Sequence, residues 1–216
     1  MTTAVIGLGN IGKTVARLLV NGNERVIVAT RDEAQATSFA QELGSLAAAM
    51  SVPQAIASAD NVVFTVWFDA MKELIAAYQE QLVGKVVIDP SNPIKAEDGK
   101  FVRTLPEGVS SGSIIAGLLP AGSHYVKTFG TLGAYALAKN ANRNPELAAL
   151  LYATDDLFAA RTAERLITAA GFDPVNAGGV SSALRIEVFG DLHQFGGMNG
   201  EVPVGRQARA AIRAKA

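Results

Sequence analysis

The sequence contains no cysteine, so disulfide bonds, thiolate catalysis and cysteine-ligated metal sites are all excluded. Histidine is almost as scarce, with two residues, and aromatic residues make up only 6% of the chain. No apolar run reaches the roughly 18 residues that a membrane-spanning helix needs. The first residues lack the basic segment followed by an apolar stretch that marks a secretory signal. We therefore expect a cytoplasmic protein that does not enter a membrane.

An excess of charge of either sign is also lacking. The chain has 19 basic and 20 acidic residues, a formal net charge of −1, which predicts no general attraction to nucleic acid. The basic residues near the end are interpreted as the solvated face of a helix: Arg206, Arg209, Arg213 and Lys215. With 49% hydrophobic residues over 216 positions, the composition is typical of a globular protein with one or two units.

Short apolar runs alternate with amphipathic stretches over the first ninety residues. We predict strands at 4–6, 25–29, 62–66 and 85–88, and helices at 11–21, 33–43, near 52 and at 70–82. Continuous apolar strands between helices indicate a parallel sheet covered on both faces. Residues 89–112, rich in Pro, Gly, Asp and Ser, predict a long loop.

The pattern loosens after this loop. It predicts a helix at 114–119, strands at 125–129, 147–153 and 173–177, and helices at 156–170 and 181–195. We therefore expect an α/β fold. A Rossmann-type, doubly wound parallel sheet at 1–125 is followed by a smaller C-terminal α/β unit at 126–216.

The glycine-rich turn at residues 7–12 is the strongest motif. Gly7, Gly9 and Gly12 follow a predicted strand and open a predicted helix, the context in which G-x-G-x-x-G indicates dinucleotide binding. The first glycine permits a tight turn, the second lets a pyrophosphate approach the backbone, and the third allows the helix to pack on the strand. The free N–H groups of the helix N-terminus, around Asn10 and Ile11, favour phosphate.

The end of the second predicted strand favours NADP over NAD. An NAD-binding site usually places a carboxylate there for the ribose hydroxyl, whereas this chain has Thr30 followed by Arg31. A guanidinium grips a 2′-phosphate in a bidentate way, and a carboxylate would repel it. Asp32 leaves NAD as an alternative ligand, because a small shift in register would bring its carboxylate to the ribose.

Two further strand ends are expected to lie along the nucleotide, since ligands of open α/β sheets bind beyond the carboxyl ends of the strands. Thr65 and Val66 are predicted to contact the pyrophosphate and nearby ribose. Trp67, the only tryptophan, is either a packing residue or a nucleotide contact. Asn92 and Pro93, in a turn stiffened by two prolines, are predicted to lie near the nicotinamide, although Asn92 equally well holds the loop.

Few residues are suited to acid–base chemistry. His193 is the one weak catalytic candidate, as a proton donor or substrate ligand, and its alternative is a partly buried structural histidine. Glu187 either orients His193 or pairs in the neighbourhood of Arg185. His124 is interpreted as a loop histidine without a role. Hydride transfer between two rings fits this scarcity, because it needs positioning more than an acid or a base.

Five segments together resemble the coenzyme F420-dependent NADP oxidoreductase family, and the resemblance covers nearly the whole chain. They are AVIGLGNIG at 4–12, Thr30-Arg31, VVIDPSNP at 86–93, VKTFGTL at 126–132 and AGFDPV at 170–175. The resemblance implies that NADP lies along the Rossmann edge and that F420 or a flavin stacks over the nicotinamide. It also implies that residues 126–216 complete the substrate cleft and form a homodimer. The nucleotide contacts that it implies are Gly9, Asn10, Ile11, Thr30, Arg31, Thr65 and Asn92.

The sequence departs from the family at two places. Gly130 stands where the family commonly has Asn, and residues 190–200 match no known deazaflavin contact. Two other functions therefore stay open. One is a reductase of small carbonyl or imine compounds, which is disfavoured because no lysine lies between Lys139 and Lys215. The other is an NADP sensor without turnover.

Overall fold

The computed structural model describes residues 1–214 and is built around a six-stranded sheet. Every pair of neighbouring strands in this sheet is parallel. The doubly wound parallel sheet predicted from the sequence is thus confirmed. Its strands are β1 (Thr2–Ile6), β2 (Arg25–Ala29), β3 (Ala47–Ala49), β4 (Asn61–Phe64), β5 (Val86–Asp89) and β8 (His124–Lys127). Their order across the sheet is β3-β2-β1-β4-β5-β8.

Helices cover both faces of the sheet because its strands carry apolar side chains on both sides. One buried cluster contains Val5, Val63 and Ile88 and lies under α1 and α8. The other contains Ile6, Phe64 and Val87 and lies under α3, α4 and α6. The helices are α1 (Asn10–Asn21), α2 (Glu33–Leu43), α3 (Val52–Ser58), α4 (Phe68–Ala77), α5 (Gln79–Leu82), α6 (Ser111–Leu118), α7 (Ala134–Asn140), α8 (Leu157–Ala169), α9 (Ala183–Ile186) and α10 (Gly205–Arg213).

The remaining strands form two small sheets. β9 (Ala149–Tyr152) and β10 (Asp173–Asn176) pair in parallel, and an antiparallel bridge between Lys127 and Ala153 joins this pair to the end of β8. The first buried cluster runs on into this region, through Leu150 and Leu166. The expected boundary between residues 125 and 126 falls inside β8.

The prediction of a long loop at 89–112 is wrong for the middle of this range. β6 (Ile94–Glu97) and β7 (Lys100–Arg103) form an antiparallel hairpin there. Asp98 and Gly99 make its two-residue turn, with φ angles of 49° and 74°. Paired positive φ values are typical of the hairpin turn that Asp-Gly favours. The hairpin strands are mostly exposed, so they lack the apolar alternation by which strands are recognised.

The helix predicted at 181–195 is also wrong. A 3-10 turn at Val180–Ser182 and the short α9 are followed by turns up to residue 200. Glycines explain the difference, because a Cβ on Gly196 would lie 2.0 Å from the Gly190 carbonyl oxygen. The backbone is therefore folded tightly on itself, which the apolar spacing of Leu184, Val188 and Leu192 did not indicate.

Smaller differences concern short elements. The structure adds β3 and α7, and it divides the helix predicted at 70–82 into α4 and α5 at Tyr78. Arg206, Arg209 and Arg213 do lie on a helix, α10, while Lys215 lies outside the described residues. Within residues 1–214, no helix has the length and apolar character to cross a membrane.

Candidate functional site

The turn between β1 and α1 leaves open space where a phosphate would bind. A Cβ on Gly7, which has a φ of +100°, would lie 2.7 Å from the Thr65 carbonyl oxygen, and one on Gly12 would lie 1.9 Å from the Gly7 carbonyl oxygen. A Cβ on Gly9 would meet nothing within 4 Å. Gly7 and Gly12 are therefore required by the fold, whereas nothing in the fold requires a glycine at position 9.

The same turn carries favourable electrostatics for an anion. Gly9 is the N-cap of α1, and no acidic residue lies in the first turn of this helix. Asn10 is exposed and Ile11 is partly exposed. The first N–H groups of a helix have no partner within the helix and carry a partial positive charge. The geometry thus fits the pyrophosphate of a dinucleotide.

Thr65, the first residue after β4, is hydrogen-bonded to this turn. Its Oγ1 donates a hydrogen bond of 2.6 Å to the Gly7 carbonyl oxygen. Val66 lies beside it, with its Cγ1 2.7 Å from the position of a Cβ on Gly7. The two predicted contacts from the end of β4 therefore lie against the glycine turn.

Arg31 lies exposed at the end of β2, and Thr30 before it is partly exposed. Asp32 is engaged elsewhere, because its Oδ1 accepts a 3.0 Å hydrogen bond from the Gln35 backbone N–H and caps α2. This use of Asp32 weakens the interpretation that it binds a ribose hydroxyl. Arg31 has no such hydrogen bond among residues 1–214 and is the charged group next to the expected ribose.

A buried ion pair holds the turn after β5. Lys127 Nζ lies 3.0 Å from Asp89 Oδ2 and donates a 2.8 Å hydrogen bond to the Ser91 carbonyl oxygen. Tyr125 donates a 2.8 Å bond to the same Asp89 oxygen. Burial and the Asp89 carboxylate raise the pKa of Tyr125 well above its ordinary value, so its hydroxyl stays protonated as a donor. The sequence interpretation did not find this network.

Asn92 links three segments. Its Nδ2 donates to the Gly130 carbonyl oxygen at 2.9 Å, and its Oδ1 accepts from the Val188 N–H at 2.7 Å. A Cβ on Gly130 would lie 2.4 Å from the Pro90 carbonyl oxygen, which explains the glycine at this position. Asn92 therefore holds the loop, while Pro93 after it is buried. One Nδ2 hydrogen remains for a ligand, so the predicted nucleotide contact stays a prediction.

His193 is 2% exposed, and both of its ring nitrogens are occupied. Nε2 lies 3.0 Å from the Gly130 carbonyl oxygen, and Nδ1 accepts a 3.0 Å bond from the Phe195 N–H. Burial lowers the pKa of His193 to about 4 from the ordinary 6.5, so the ring is neutral near pH 7. This geometry favours the structural alternative, and the catalytic role stays a prediction without support from the contacts.

The buried His193 gives a prediction for stability against pH. Below pH 6.5, the ordinary pKa of histidine, His193 binds a proton in the unfolded chain, whereas in the folded chain it binds one only near pH 4. Stability from this group is therefore present above pH 6.5 and is lost as the pH falls to 4, by about 3 kcal/mol. We expect the free energy of unfolding in urea to fall less over this range in His193→Gln than in the wild type. Equal falls in both proteins would contradict the assignment.

Glu187 neither orients His193 nor pairs with Arg185. Its Oε1 accepts hydrogen bonds from Ser110 Oγ at 2.7 Å and from the Gly112 N–H at 2.8 Å. Arg103 lies 3.5 Å from its other oxygen. Glu187 thus ties the segment after α9 to the start of α6 and to the hairpin.

The interpretation of His124 as a loop residue is wrong, because it lies in β8. Its Nδ1 is 2.6 Å from Asp156 Oδ2, and Asp156 Oδ1 caps α8. The contact between His124 and Asp156 is therefore structural and lies outside the glycine turn.

Comparison with known proteins agrees with this geometry. The family model for coenzyme F420-dependent NADP oxidoreductases matches residues 2–93, which include the glycine turn and Asn92. The F420-dependent NADP reductase of Methanothermobacter thermautotrophicus is 30% identical, over 87% of this chain and 85% of its own length. The chain belongs to this family. It is accordingly an oxidoreductase of an NADP-dependent family.

Two other relatives widen the comparison. The metalloreductase STEAP3 of Rattus norvegicus is 27% identical over 85% of this chain, but the chain spans only 35% of that protein. The crystal structure of a hypothetical protein from Sinorhizobium meliloti is 29% identical and superimposes with a TM-score of 0.75, covering 85% of this chain and 87% of that one. The similarity to this solved structure therefore extends beyond residues 2–93, the part that the family model matches.

Proposed function

We propose that this family member transfers a hydride between NADP(H) and a flavin-like acceptor such as coenzyme F420. The observation that carries the proposal is the open space at Gly9, in a turn whose tight contacts require glycine at positions 7 and 12. This space lies next to the N-terminus of α1, where no side chain caps the helix. NADPH supplies a hydride and becomes NADP⁺, while the acceptor takes up that hydride, with its two electrons, and one further proton from water.

The residues of this chain bind and orient the nucleotide in the proposal. The backbone of residues 9–11 holds the pyrophosphate, and Thr65 and Val66 border the adjoining ribose. Arg31 holds the 2′-phosphate, with Thr30 beside it. Asn92 and Pro93 border the nicotinamide from a turn that Lys127 keeps in place.

The acceptor is proposed to bring its own reactive ring, because the side chains near the turn after β5 are occupied. The His193 ring is neutral and bonded at both nitrogens. The Asp89 and Lys127 pair is buried and internally bonded. Neither group is free to exchange a proton with a carbonyl or imine substrate. The name of the methanogen relative supports F420 as the acceptor.

The experiment that tests this function follows NADPH oxidation at 340 nm with separate acceptors. F420, FMN, FAD and a set of small carbonyl and imine compounds are compared at equal concentration. We expect turnover with F420 or a flavin and none with the carbonyl and imine compounds. Tight NADPH binding without turnover by any acceptor would instead favour the sensor function.

Arg31→Ala should weaken NADPH binding about 10- to 100-fold, since charge-assisted hydrogen bonds contribute about 1.5–3 kcal/mol. NADH binding should change little, because it has no 2′-phosphate. Calorimetric titration of both nucleotides measures this difference. Arg25→Ala, at the opposite end of β2, is the matched control. Equal losses for NADPH and NADH would contradict the role given to Arg31.

The two-part organisation belongs to the same proposal. Residues 1–125 bind the nucleotide, and residues 126–216 complete the substrate cleft and form the homodimer implied by the family resemblance. The dimer and the cytoplasmic location remain predictions.

A further inference from the structure

A cavity of about 210 Å³ opens between the start of α4 and the hairpin formed by β6 and β7. Residues 67–69 form one wall, and residues 94–96 with Thr104 form the other. The cavity is smaller than the roughly 300–1,000 Å³ of pockets that enclose whole ligands. It therefore suits one end of a ligand whose remainder stays outside.

Trp67 stands exposed at the mouth of this cavity. Its side chain is 57% exposed, whereas the next residue, Phe68, is 4% exposed and packs into the core. The packing interpretation of Trp67 therefore does not account for its position. An exposed indole leaves a large flat apolar surface in water, which a flat ring would cover with a gain in free energy.

The cavity lies next to the expected position of the nicotinamide. Trp67 follows Val66, which touches the glycine turn, and consecutive Cα atoms are about 3.8 Å apart. The opposite wall begins at Ile94, directly after the turn that Asn92 and Lys127 fix. A ring in the cavity would thus adjoin a nicotinamide bound along the same edge of the sheet.

The two charged residues that line the cavity, Asp69 and Lys95, are each paired with a charged residue outside the lining. Lys95 Nζ lies 3.2 Å from Glu97, and Asp69 lies 2.7 Å from Lys72. No unmatched charge is left among them to attract an ionic group. The lining therefore favours an uncharged part of a ligand over an ionic one.

We propose that this cavity binds the flat, uncharged heteroaromatic ring of the hydride acceptor, with one face of the ring stacked on Trp67. This inference rests on the proposed function, and it assigns the acceptor's place. Stacking of this kind positions a ring for transfer, since hydride donor and acceptor atoms must approach to about 3–3.5 Å. Trp67 is then a positioning residue for the acceptor and not for the nucleotide.

The fluorescence of Trp67 tests the proposal without turnover, because no other tryptophan contributes to the signal. Riboflavin, an uncharged flavin, is titrated into the protein saturated with NADP⁺, with free tryptophan as the correction for light absorbed by the ligand. We expect saturable quenching. Ala96→Phe, which fills the cavity, should weaken riboflavin binding at least tenfold. Phe101→Ala, on the same hairpin but outside the cavity lining, should leave it unchanged.

A second variant, Trp67→Ala, is tested by enzyme kinetics. Trp67→Ala should raise the KM for the best flavin-like acceptor about tenfold, with the dissociation constant of NADPH unchanged. Circular dichroism checks that each variant is folded.

Quenching by NADP⁺ alone to the same extent would assign the cavity to the nicotinamide and overturn the proposal. An active enzyme with no quenching and an unchanged KM in both variants would overturn it while the proposed function stands. Saturable quenching without turnover would support the ring site and contradict the proposed function.

Discussion

Gly9→Val is expected to weaken NADPH binding on the order of 1,000-fold, or about 4 kcal/mol, while the protein stays folded. The backbone of Gly9 has φ −72° and ψ −170°, an extended conformation that valine adopts readily. Within residues 1–214, no atom outside Gly9 and its two chain neighbours lies within 4 Å of the new Cβ, so the side chain projects into the space proposed for the pyrophosphate. The free energy of unfolding should change by under about 1 kcal/mol, the usual cost of losing a glycine N-cap.

Calorimetric titration and urea unfolding measure the two effects separately. Gly117→Val is the control, because Gly117 also has open space around its Cβ position and lies in α6. It should leave NADPH binding unchanged. If Gly9→Val bound NADPH as tightly as the wild type, the nucleotide would not pass over this turn, and the proposed function would lose its main support.

Lys127→Met should lower the free energy of unfolding by about 3–5 kcal/mol, the usual result of removing one partner from a buried ion pair. Asp89 and Lys127 are 0% and 3% exposed. The change leaves the Asp89 carboxylate buried without its cation and frees the Ser91 carbonyl oxygen. Urea denaturation at pH 7 measures the loss.

A double variant separates charge from packing. Asp89→Asn combined with Lys127→Met removes both charges and should recover part of the lost stability. Lys100→Met, an exposed lysine of the hairpin, should change stability by less than about 0.5 kcal/mol. If the double variant were as unstable as the sum of its single changes, the two residues would not act as a pair.

The glycine turn was predictable from sequence because each of its parts has a local cause. A short apolar strand, three glycines and an amphipathic helix follow one another within about twenty residues. Two of the reasons for glycine lie inside that segment, because Gly7 has a φ of +100° and Gly12 lies against the Gly7 carbonyl oxygen. The helix at 33–43 was predicted with its observed bounds, since Asp32 caps it and Gly44 follows it.

The Asp89 and Lys127 pair could not be predicted in this way. It depends on β8 lying beside β5 in a register that places Lys127 opposite Asp89. The two residues are 38 positions apart, and neither has a local motif. The folded segment at 187–200 is similar, because Gln194 and His193 fix it by bonds to residues 130–133, far away in sequence.

Because β8 completes the sheet and carries Lys127, residues 1–125, which we propose bind the nucleotide, are not a detachable module. Lys127, the last residue of β8, forms the bridge to Ala153, and Asn92 depends on Val188 for one of its two bonds. A chimera that joined residues 1–125 to a foreign C-terminal half would leave Asp89 without a cation. Transplanting this nucleotide site into another reductase therefore requires the matching strand and the 187–194 segment to be moved with it.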